Sequence, residues 1–122
     1  MASLDIERAG KLLKSAEDLF KEGDLAGVAG LAYQAFESAT MALIKVKNGM
    51  DQKSHLGRRK RAKELLEEFR DKIDFLWEIR NVDFYGNVSF GAESRDVSEE
   101  EVKDSLKTVA EMIKKIGRFL KP

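Results

Sequence analysis

Apolar residues return along this chain at intervals of three and four, the spacing that stacks side chains on one face of an α-helix. Ile6, Ala9, Leu13, Ala16 and Phe20 make the first such stripe. Gly23 follows, and glycine takes the left-handed conformation of a helix end without a Cβ clash, so the first helix is expected to close near Glu22. Asp24 then stands as the N-cap of a second helix reaching about Lys47, where Asn48 and Gly49 act as terminators. The two segments read as an αα-hairpin with a very tight turn.

The second helix departs from the one-sided pattern. Its stretch LAGVAGLAYQAFESATMALI holds a single charged residue, Glu37. A helix that is apolar nearly all round buries more than one face. One face would serve the intramolecular core, and the other is expected to meet a second copy of the chain, with Ala26, Gly27, Gly30 and Ser38 allowing close backbone approach. The plainer alternative is that it is the central helix of a monomeric bundle.

Ser54 is placed to cap a third segment, SHLGRRKRAKELLEEF, with Leu65, Leu66 and Phe69 on its apolar side. Ile73, Leu76 and Trp77 continue the stripe; Asp71 caps a separate fourth helix unless the chain runs on. The stretch GNVSFGAESRD has glycines and no period, which marks a loop. In the last helix Ser98 and Glu101 have the spacing of a capping box, Val97 and Val102 that of a hydrophobic staple. Val102, Leu106, Val109, Ile113, Ile116 and Leu120 then hold the helical period to the end. The only proline is Pro122. The expected fold class is all-α, a four- to five-helix up-and-down bundle, and 122 residues suit one domain over 1–122.

Composition narrows the chemistry. Lys plus Arg equals Asp plus Glu at 22 each, so any attraction to RNA or an anionic surface has to come from a local patch. With no cysteine, disulfides and thiolate chemistry are excluded. The N-terminal MASLDIERAGKLLK has no apolar signal region, and no window approaches the roughly 18 apolar residues that span a bilayer. A cytoplasmic protein with no membrane partner is expected.

Within the stripe Phe69, Ile73, Leu76 the next inward position is residue 80, which is an arginine. An unpaired buried charge is costly, so Arg80 needs an acceptor or the mouth of a groove. Glu37 is the expected ion-pair partner, and on residue types alone a structural ion pair is the simpler reading. The run Arg58, Arg59, Lys60, Arg61 with Lys63 is the one concentrated basic patch, a solvated helix face or a footing for RNA or an acidic partner. No aromatic residue interleaves it to stack a base. His55, the only histidine, lacks the further ligands a metal would need, and no metal or cofactor is expected. Phosphate loops, a dinucleotide-binding glycine motif and a Ser-His-Asp elbow are all missing.

The segments LAYQAFESATMALI, SHLGRRKRAKELL, RNVDFYG and VSEEEVKDSLKTVAEMIKKI, in this order, resemble the HEPN superfamily of small helical proteins. The resemblance implies a four- or five-helix bundle, commonly dimeric. It also implies a place beside a minimal nucleotidyltransferase in toxin and antitoxin pairs. Catalytic members are metal-independent ribonucleases with an R-N-x-x-x-H motif, and the two motifs of a dimer meet in one cleft. Carried onto this chain, the motif makes Arg80 and Asn81 its first two positions, with Tyr85 where the histidine would be. Histidine, with an ordinary pKa of about 6.5, suits the removal of a 2′-hydroxyl proton, whereas tyrosine near 10 does not. The expected function is therefore a dimeric subunit that binds a nucleotidyltransferase partner and RNA or nucleotide. The alternative is a ribonuclease in which Tyr85 or His55 replaces the motif histidine.

Overall fold

The computed structural model describes residues 2–47, 54–84 and 98–120. Five helices succeed one another: α1 (Ala2–Glu22), α2 (Leu25–Lys47), α3 (His55–Leu65), α4 (Arg70–Phe84) and α5 (Glu99–Leu120). A 3-10 turn (Glu67–Phe69) joins α3 to α4. Among the described residues there is no strand, and the chain builds the all-α bundle that its periodicity implies.

The first turn is made as its residues require. Gly23 has φ +84°, its N–H donates to the Phe20 carbonyl at 3.1 Å, and the Asp24 N–H reaches back to the Leu19 carbonyl at 3.1 Å. This pair of bonds satisfies carbonyls that the end of α1 leaves open. Asp24 then caps α2, its Oδ1 accepting from the Gly27 N–H at 3.0 Å. A Cβ at Gly27 would fall 2.5 Å from Asp24 Oδ2 and 2.8 Å from Leu19 Cδ1, so this position has no room for a side chain.

The centre of the bundle is α2, which packs against α1, α3, α4 and α5. Val28, Ala32, Tyr33, Phe36, Ala39 and Leu43 are buried along it. Its alanines keep it narrow enough for four neighbours to close round it. Of the residues expected to allow close approach of a second copy, Gly30 and Ser38 are covered by the chain's own helices, while Ala26 stands exposed. Ile79 near the end of α4 and Val102 at the start of α5 join Ala16, Val28 and Ala29 in one apolar cluster. That cluster lies by the α1–α2 turn, so α1 and α4 run one way and α2 and α5 the other. The larger core gathers Phe36, Leu43, Leu66, Ile73, Met112 and Ile116.

Between α3 and α4 the chain breaks instead of running on. Leu66, at φ −124° and ψ 62°, leaves the helical region, and its side chain is fully buried. Ser54 caps α3 by accepting from the Gly57 N–H at 2.9 Å. The capping box of α5 is complete: Glu101 N–H donates to Ser98 Oγ at 3.1 Å and Ser98 N–H donates to Glu101 Oε1 at 2.9 Å. Val97, the other half of the expected staple, lies outside the described residues.

Two stability effects are expected. Leu43→Ala removes a fully buried side chain from the central helix, which should lower stability by about 2–5 kcal/mol. Urea unfolding with an unchanged m-value checks it. Ser98→Ala should cost about 1 kcal/mol by opening the box at the start of α5, and the same titration reads that smaller shift in midpoint.

Candidate functional site

Of the eleven residues of α3, Ala62 alone is fully buried. A helix with so little apolar face is held by its charges and by what they meet. Lys63 bridges to Asp74 on α4 at 2.9 Å, and Arg59 Nε lies 4.0 Å from the same carboxylate. The Arg59 guanidinium stacks 4.5 Å from the centre of the Trp77 ring. His55 and Arg58 reach the other way, toward α2.

What they reach is Glu37. His55 Nδ1 lies 2.5 Å from Glu37 Oε2, and Arg58 Nη1 lies 3.9 Å from Glu37 Oε1. The carboxylate is 8% exposed, so the one acid of an otherwise apolar helix is buried against two side chains from α3. The expected Glu37 to Arg80 pair is corrected by this geometry, because α3 inserts its own nitrogens at the carboxylate.

Arg80 is inward-facing, as its place in the stripe requires, and 9% exposed. Its Nη1 donates to Asn81 Oδ1 at 3.2 Å. Its guanidinium lies 5.2 Å from the Trp77 ring centre and 5.5 Å from that of Tyr33. Cations over ring faces are favoured by the ring quadrupole, so the two aromatics help to hold a charge that the core would otherwise reject. The Tyr33 and Trp77 centroids are 5.3 Å apart, and the His55 ring lies 5.7 Å from Trp77 and 6.3 Å from Tyr33. Arg59, Arg80 and His55 therefore gather round one aromatic pair, with Glu37 and Arg58 joined to it through His55 and Asn81 through Arg80.

Burial pushes the Tyr33 phenol well above its ordinary range, and the Glu37 carboxylate pushes the same way, while the charges of Arg59 and Arg80 oppose them. Tyr33 is thus held protonated and is no base at neutral pH. Its hydroxyl is buried without a hydrogen-bond partner among the described residues.

The remaining candidates divide. Lys60 is exposed and Arg61 pairs with Glu64 at 3.6 Å, so the basic run does not form one surface: Arg58 and Arg59 turn inward and Lys60 outward. Tyr85 lies outside the described residues. Tyr33 and the stacking role of Trp77 are additions that the linear reading missed. Each had a signal, since Trp77 stands three residues before Arg80 and Tyr33 four before Glu37, the intervals that share a helix face. The aromatic partners absent from the basic run are supplied across space.

Among the described residues no group of three or more metal-binding side chains gathers, and no helix is long and apolar enough to cross a membrane. No curated protein matches the chain. The family profile described as HEPN domain does, over residues 2–119. The chain belongs to the HEPN domain family.

Proposed function

We propose that this protein acts as one HEPN unit, the dimeric helical subunit of a toxin–antitoxin or nucleotidyltransferase-associated module, and that its α2–α3–α4 cluster binds phosphate on RNA or a nucleotide. The observation that carries this reading is the convergence of Arg59 and Arg80 on one aromatic pair, with Arg58 beside it on the buried Glu37 and Asp74 at the rim. Guanidinium groups present planar forked donors suited to phosphate oxygens. Arg58 and Arg59 have side chains 19% and 16% exposed, so solvent reaches both.

A second reading, a metal-independent ribonuclease with Tyr85 in the place of the motif histidine, is supported by one fact. His55, distant in sequence from Arg80, lies against the same Trp77 and Tyr33 rings.

The phosphate reading is tested by fluorescence anisotropy with a short labelled RNA across a salt series. Affinity should fall linearly with the logarithm of salt concentration. The double substitution Arg58→Glu, Arg59→Glu should weaken binding at low salt by at least about tenfold and flatten that slope, since each lost phosphate contact removes about one unit from it. Circular dichroism shows whether the variant keeps its helices. Unchanged affinity at low salt removes the proposal.

A further inference from the structure

We infer that the groove between α1, α2 and α3 is a separate small-molecule site, and that its ligand is a zwitterion of the α-amino acid type with an apolar side chain. The groove has a volume of about 370 Å³ and takes Arg8 and Leu12 from α1, Glu37 and Met41 from α2 and Arg58 from α3. Among the described residues, Tyr33, His55, Arg59, Trp77 and Arg80 take no part in lining it. It is therefore distinct from the aromatic cluster and shares with it only the Glu37–Arg58 edge. Its size falls in the range of about 300–1,000 Å³ in which small ligands are held.

The feature that calls for a ligand is one oxygen of Glu37. The residue is 8% exposed, and the two oxygens of its carboxylate are unequally served. Oε2 is met by His55 Nδ1 at 2.5 Å. Among the described residues Oε1 has only Arg58 Nη1, at 3.9 Å, which is beyond hydrogen-bond length. A buried carboxylate oxygen without a donor is costly, and an ammonium group, which brings a charge and three donors, answers it best.

The rest of the groove has the opposite demand. Arg58 stands beside that oxygen, and Arg8, on the exposed surface of α1, makes no ion pair among the described residues. Their forked donors suit a carboxylate. A simple anion would meet Glu37 as a like charge, and a simple amine would meet two arginines as like charges; a molecule with ammonium and carboxylate side by side satisfies both. Leu12 and Met41, each partly exposed, give its side chain an apolar surface.

Isothermal titration calorimetry of the full chain tests this with leucine and two analogues. These are 4-methylpentanoate, which lacks leucine's ammonium, and 3-methylbutylamine, which lacks its carboxylate. Leucine should bind once per chain, and each analogue at least about tenfold more weakly, the worth of one charge-assisted hydrogen bond. Arg8→Ala changes an exposed residue, so the core is untouched; it should weaken leucine about tenfold and leave 3-methylbutylamine as it was. Glu37→Gln should remove the advantage of leucine over 4-methylpentanoate, with circular dichroism reporting whether the helices remain. If that variant unfolds, the Arg8→Ala comparison decides alone. No saturable binding of leucine at millimolar concentration overturns the assignment, as does equal affinity for leucine and 4-methylpentanoate, or leucine binding that Arg8→Ala leaves unchanged. Tighter binding of adenosine monophosphate that Arg8→Ala abolishes also overturns it, by making the groove a nucleotide site.

Discussion

The site depends on a buried carboxylate. Glu37 sits in a helix that is surrounded by four others, and a lone charge there would cost several kcal/mol of desolvation. The fold meets that cost with α3, a helix too polar to dock by its own apolar surface. His55 and Arg58 dock it at one point and Arg59 over Trp77 docks it at another. The same contacts that keep a charge in the core thus place three chemically active side chains of α3 against α2 and α4. Polar residues that would be a liability in an ordinary bundle serve here as attachment points.

Much of the architecture could be read along the chain because it is set by neighbours in sequence. The Gly23–Asp24 turn, the Ser54 cap and the Ser98–Glu101 box each involve atoms three to five residues apart, and their chemistry is visible in the letters. The inward direction of Arg80 follows from helical spacing in the same way. What spacing does not give is which faces meet. It left Glu37 and Arg80 as the evident pair of opposite charges, whereas the break at Leu66 folds α3 back and lets His55 and Arg58 arrive first. For a related reason the apolar character of α2 says that every side is covered, and says nothing of whether the cover is the same chain or another.

The basic run shows how one helix divides its charges. Four consecutive cations on a helix point about 100° apart, so they cannot all face one ligand. Arg58 and Arg59 turn to the cluster, and Lys60 is left in solvent. The electrostatic field of such a run acts over about 8–10 Å at ordinary ionic strength whichever way each side chain points, whereas direct contact depends on that direction.

Burial divides the work further. Arg80, against two rings and bonded to Asn81, is fixed in place and nearly out of water, which makes its charge a steady contribution to the field in the cluster. An interaction in such a place is stronger than the same one in water and needs little reorganisation when charge develops nearby. His55, whose side chain is 49% exposed, stands at the open edge of the same rings. The histidine of α3, held by the acid of α2, lies against the same aromatic pair as Arg80 of α4. The cluster thus depends on the docking of α3, so a loss of the Glu37 contact would disturb the cluster and the placement of that helix together.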